Sequence, residues 1–171
     1  MGNPVNATKT SIGDVAELLS DSGSSVHCCG PHDFPDHDLY KLSHTKEFNA
    51  ANGQPLRCTG YKNVTIEKDG TELILKFLVL DVKRPILSVS QMQENSNGNI
   101  STHYEKDNNY IHVRCSSTRL GLVARFGIFL LQATVVASQV AGQSWFGRPL
   151  DGTASDVQAK RGYIETPSHR D

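Results

Sequence analysis

Ala16-Glu17-Leu18-Leu19-Ser20-Asp21-Ser22-Gly23-Ser24 is the stretch on which the reading of this chain depends. A short apolar run delivers an aspartate onto a Ser-Gly turn. Gly23 has no Cβ, so the backbone can bend sharply and approach the carboxylate. Ser22 brings a hydroxyl able to hydrogen-bond nearby backbone. The arrangement holds one carboxylate rigidly at the end of a strand. Asp-Ser-Gly is equally an ordinary turn signal, and the rest of the chain has to separate the two readings.

Outward from this stretch, strands dominate. Residues 1–13 are small and polar and read as a flexible lead-in. Residues 24–47, rich in His, Asp and Pro, read as irregular loop with one short strand. Phe48 to Gly60 reads as a hairpin turned at Asn52-Gly53, two residues that both tolerate positive φ. Tyr61 to Lys68 alternates in places, and Asp69-Gly70 is a second hairpin turn. Glu72 to Val82 is a dense β run that Pro85 breaks. Ile86-Leu87-Ser88-Val89-Ser90-Gln91-Met92 passes from strand into a short helix ending before Gly98. Tyr104, Tyr110, Ile111 and Val113 suggest a hairpin across Asn108-Asn109, and Gly127 to Val136 suits a last strand. Leu120 to Ala141 is apolar enough to raise a membrane span. A central Arg125, costing about 2.5–3.5 kcal/mol on insertion scales, counts against it. Strands spaced by turn signals predict a small all-β barrel or sandwich.

The 171 residues are enough for one domain with appendages. A net charge of −1 gives no basis for nucleic acid or an anionic membrane as main partner. Residues 1–20 lack the basic and apolar regions of a signal peptide, and Asn6 breaks the myristoylation pattern. Reduced thiols at Cys28, Cys29, Cys58 and Cys115 and an intracellular, cytoplasmic location are therefore the expectation. His27, Cys28, Cys29, His32, His37 and His44, interleaved with Asp33, Asp36 and Asp38, raise the question of zinc. No Cys-x2-Cys or His-x3-His pair repeats among them, so a solvated acidic-His loop is the reading preferred, with no metal and no cofactor.

The order of these pieces resembles the protease domain of retroviruses and long-terminal-repeat retrotransposons, the retropepsin family, with Copia-type elements nearest. The resemblance rests on Asp21-Ser22-Gly23, Ala51-Asn52-Gly53, the Ile86-Leu87-Ser88-Val89-Ser90-Gln91-Met92 segment and the late Gly127-Ile128-Phe129-Leu130-Leu131 run. It covers residues 14–113 and the strand at 127–136. It implies an all-β, retropepsin-like closed barrel over residues 14–138, one half of an acid protease, followed by a flexible polar tail at 139–171. Ser24 stands where Ala is usual. Ser88 replaces the Gly of the viral motif, a change that transposon relatives share. The tail has no counterpart in the family.

By that resemblance each chain supplies half an active site, and the partner is a second copy of itself. Two Asp21 carboxylates would share one proton, because like charges that close cannot both be ionised. The ionised member would take a proton from a water while the other donates to the peptide carbonyl. Ser22 would brace the dimer floor, and Gly23 would offer its N–H to a carboxylate. Ala51, Asn52, Gly53 and Gln54 would form a flap over an extended polyprotein peptide. Ile86, Leu87 and Ser88 would pack beneath the site. Two other classes are carried beside this one: a non-catalytic remnant kept for binding or dimerisation, and a small zinc module.

Overall fold

A computed structural model describes residues 9–137. The expected tail at 139–171 and the start of the lead-in lie outside the described residues. Within them, twelve strands and one short α-helix follow in chain order: β1 Val15–Asp21, β2 Cys28–Cys29, β3 Lys46–Asn49, β4 Pro55–Cys58, β5 Gly60–Lys68, β6 Thr71–Val79, β7 Ile86–Ser88, α1 Val89–Asn95, β8 Ile100–His103, β9 Tyr110–Val113, β10 Thr118–Gly121, β11 Val123–Arg125 and β12 Ile128–Val136. The fold is therefore mostly β.

The main sheet runs β1-β7-β2-β6-β5-β12-β11, and β12 pairs again with β1. The longest ladders are antiparallel: β5 with β6 from Gly60↔Val79 to Lys68↔Thr71, and β1 with β12 from Val15↔Thr134 to Ser20↔Phe129. Period-two burial follows from this. Ala16, Leu18 and Ser20 point inward from β1, as Leu73, Leu75, Phe77 and Val79 do from β6. The apolar ones join Val64, Ile66, Leu87, Met92, Ile111, Val113 and Leu131 in one core cluster. A second cluster of Cys28, Cys58 and Leu80 gathers Phe48, Leu56 and Ile86 around it. The β8-β9-β10 sheet and the β3-β4 hairpin stand as separate small sheets.

Asp69-Gly70 forms the expected two-residue turn, with φ of 51° and 81° between the paired Lys68 and Thr71. Asn52-Gly53 does not. Only Gly53 has positive φ, at 86°, and its N–H closes a four-residue turn on the Ala50 carbonyl at 2.8 Å. The physical reason is the Asn52 side chain. Its Oδ1 accepts the Gln54 N–H at 3.0 Å, as turn asparagines do, so its backbone need not enter the left-handed region.

The β8–β9 hairpin exists, but its connection spans residues 104–109 instead of a tight Asn108-Asn109 turn. Tyr104 leaves the ladder to bond Ser20 on β1, which ends the pairing at His103↔Tyr110. The dense run stops at Val79, short of Val82. The apolar stretch after Leu120 is made of the end of β10, β11 and β12, and among the described residues no helix is long and apolar enough to cross a membrane. The sequence pattern marks neither β10 nor β11.

The irregular loop before β3 carries its own buried groups. Phe34 is fully buried, and its N–H donates to the buried Thr10 hydroxyl at 2.8 Å. The Lys62 ammonium, also buried, donates to the carbonyls of Asp33 and Phe34 at 2.8 and 3.0 Å. Aliphatic content is low here because His27, Cys28, Cys29, Phe34 and His37 fill the space.

Candidate active site

Three residues of parallel pairing bring the Asp-Ser-Gly stretch and the Ile86-Leu87-Ser88 segment together. β1 and β7 register as Leu19↔Ile86, Ser20↔Leu87 and Asp21↔Ser88. Asp21 thus ends β1 beside the residue that caps α1. Leu87 and Ser88 are fully buried and Ile86 partly so.

Asp21 is half-buried. Its Oδ1 accepts the Gly23 N–H at 2.7 Å. A Cβ on Gly23 would lie 3.3 Å from that same oxygen, a tight contact that would make the carboxylate shift by a few tenths of an ångström. Ser22 is exposed, and its hydroxyl has no partner among the described residues. The local hydroxyl-to-backbone bond expected of it is made instead by Ser24, whose Oγ donates to the Val26 carbonyl at 2.7 Å.

Ser88 ties this loop down. Its Oγ donates to the Ser24 carbonyl at 2.6 Å and accepts the Gln91 N–H at 3.0 Å, capping α1. Its own N–H donates to His27 Nδ1 at 2.9 Å, and the His27 N–H donates to Gln91 Oε1 at 2.6 Å. An imidazole that accepts at Nδ1 carries its proton on Nε2 and is neutral. Burial pushes the His27 pKa down to about 3. We predict that Ser88→Ala costs about 1–3 kcal/mol, the sum of a lost N-cap and one orphaned carbonyl. A shift of the urea midpoint at unchanged slope measures it, and an unaltered midpoint refutes it.

Tyr104 belongs to the same end of the molecule, although the sequence places it only in a hairpin. Its hydroxyl meets Ser20 Oγ at 2.8 Å and donates to the Ser20 carbonyl at 3.3 Å. Its ring lies 4.7 Å from that of Phe129. Burial raises its pKa; the Ser20 bond opposes that shift and the Asp21 charge adds to it. Nothing in the spacing of the chain marks residue 104 as a neighbour of residue 20.

Among the described residues no group of three or more His, Cys, Asp or Glu side chains is arranged to hold a metal ion. His27 Nδ1 is occupied by Ser88, and Cys28, Cys29 and Cys58 are buried free thiols. Burial, followed by the charge of Asp21, raises the Cys28 pKa to about 12. Burial likewise raises Cys29. Neither supplies a thiolate near neutral pH.

Ala51, Asn52, Gly53 and Gln54 are exposed at the tip of the β3–β4 hairpin. No hydrogen bond joins them to Asp21 among the described residues. The hairpin's base is anchored by Phe48 and Leu56 in the smaller core cluster. A cleft of about 420 Å³ separates β4 from the end of β6, lined by Gln54, Leu56 and Arg57 on one side and Pro31, Leu80 and Asp81 on the other.

Chemically, the Asp-Ser-Gly turn presents a single carboxylate with one oxygen held by a backbone N–H. Glu17, the other acid of β1, is taken up by Arg125 at 3.0 Å and Gln132 at 2.8 Å. A lone carboxylate cannot take a proton from water and donate one to a carbonyl in the same step. No protein-family model, curated protein or solved structure matches the chain.

Proposed function

We propose that the chain is one half of a retropepsin-type aspartic endopeptidase of retrotransposon kind, with a retropepsin-like closed barrel, cleaving extended polyprotein peptides as a homodimer. The observation that carries this reading is the β1–β7 register, in which the Asp21-Ser22-Gly23 turn lies against Ile86-Leu87-Ser88 and the capped start of α1. An ordinary surface turn needs no such support. The return of the sheet pairing from β12 to β1 favours the barrel.

In this reading Asp21 and its copy in the second chain form the dyad. One carboxylate, ionised, takes a proton from the attacking water; the other, protonated, donates to the scissile carbonyl oxygen. The tetrahedral intermediate collapses as the leaving amine is protonated. Gly23 N–H fixes Asp21, and Ser88 with His27 holds the loop behind it. The β3–β4 hairpin closes over the peptide, whose side chains reach the cleft under β4. No cofactor is required.

The test uses the full chain and denatured casein as an extended substrate. Cleavage blocked by a statine-type inhibitor, and indifferent to a thiol alkylator or a chelator, is the expected result. Cleavage indifferent to the inhibitor overturns the reading. A folded dimer that leaves casein intact overturns it in favour of a non-catalytic binding or dimerisation module.

A further inference from the structure

The hairpin between β11 and β12 turns at Phe126-Gly127, with φ of 49° and 81°. Such a turn is filled without strain by Asn, Asp or Gly. An aromatic residue at positive φ is a backbone outlier. The Phe126 side chain gains no compensating contact among the described residues, since it is fully exposed at 101%. A strained backbone that presents an unburied ring points outward for its explanation.

Its place in the sheet says where. β12 pairs with β1 as Ser20↔Phe129, so Asp21 stands level with Ile128 if that register continues. The Phe126-Gly127 tip then projects roughly 3–7 Å past the level of Asp21, one strand spacing or two to its side. The same end carries Tyr104, 39% exposed, packed on Phe129. Two Asp21 carboxylates can reach hydrogen-bonding distance only if two such ends meet, and a tip that projects past the level of Asp21 beside it is then placed to meet the other chain.

We propose that Phe126 is the apolar anchor of a two-fold interface between two copies of this chain, seated on the Tyr104–Phe129 surface of the second copy. A two-fold axis makes the contact self-complementary, so each dimer buries the ring twice. The choice of a second copy as occupant rests on the aspartic-protease reading; the exposed, strained ring does not.

Phe126→Asn separates an interface role from a folding role, because Asn suits the turn. The variant is expected to keep or raise thermal stability while weakening the dimer by about a hundredfold or more in sedimentation equilibrium of the full chain. Tyr104→Ala, which removes the receiving ring, weakens it as well. A Phe126→Asn chain that dimerises as tightly as wild type overturns the proposal, and so does a wild-type chain that stays monomeric at hundreds of micromolar. The two readings fail separately. Wild-type cleavage with an unaltered Phe126→Asn dimer refutes the anchor alone. A Phe126-dependent dimer without cleavage refutes the protease alone.

Discussion

Asp21→Asn is expected to lower casein cleavage by a factor on the order of 10³ or more, with the fold and the dimer intact. The amide can still accept the Gly23 N–H, so the turn closes as it does with the carboxylate at 2.7 Å. What it cannot do is take a proton from water. Because two chains share one site, the defect is dominant. In an equal mixture of wild-type and Asp21→Asn chains, allowed to exchange, only about a quarter of the dimers carry two aspartates, so activity falls to about a quarter. A site contained within one chain would leave half. The mixing curve therefore tests the chemistry and the stoichiometry together. A linear fall with the wild-type fraction, or cleavage that survives full replacement, removes Asp21 from the role assigned to it.

The parts of this site that are legible in the sequence are those whose signals are local. Asp21-Ser22-Gly23 ends a strand, and Ser88 caps a helix three residues before Gln91. Asp69-Gly70 makes its two-residue turn because both residues suit positive φ. The rest depends on partners far away in the chain. Ser20 and Tyr104 are 84 residues apart, and His27 and Ser88 are 61 apart. Neither pair has a spacing that a motif could encode. Composition groups His27 with Cys28 and Cys29, although burial makes it a neutral acceptor. The backbone tolerance of Asn52 suggests a two-residue turn, whereas its side chain sets the turn that forms. β10 and β11 leave no mark because Thr118 to Arg125 gives two strands too short to show a period.

His27 makes the molecule acid-labile in a defined window. Folded, its imidazole stays neutral down to about pH 3; unfolded, it gains a proton below its ordinary 6.5. Between those limits the unfolded chain binds the extra proton, so stability rises with pH there. The contribution is fully present above pH 6.5 and is lost as pH falls toward 3. Each unit of acidification in the window costs about 1.4 kcal/mol, and the whole window about 5 kcal/mol. His37, also buried with both ring nitrogens unpartnered, is shifted down by burial and adds in the same direction. Urea midpoints measured from about pH 8 to pH 4 should fall steeply below the ordinary histidine pKa of about 6.5. His27→Gln keeps an acceptor in reach of the Ser88 N–H and should flatten that fall, leaving the part due to His37. An unchanged slope in the variant refutes the assignment.

The consequence reaches the proposed chemistry, since His27 bonds Ser88 and Ser88 pairs with Asp21. A carboxylate dyad that shares one proton works on the acid side of neutrality, where the fold that carries this His27–Ser88 latch is less stable. The acid limb of cleavage should therefore follow unfolding, and His27→Gln should extend it to lower pH. If the limb keeps its midpoint in that variant while the stability curve moves, titration of the dyad sets the limb and the latch does not.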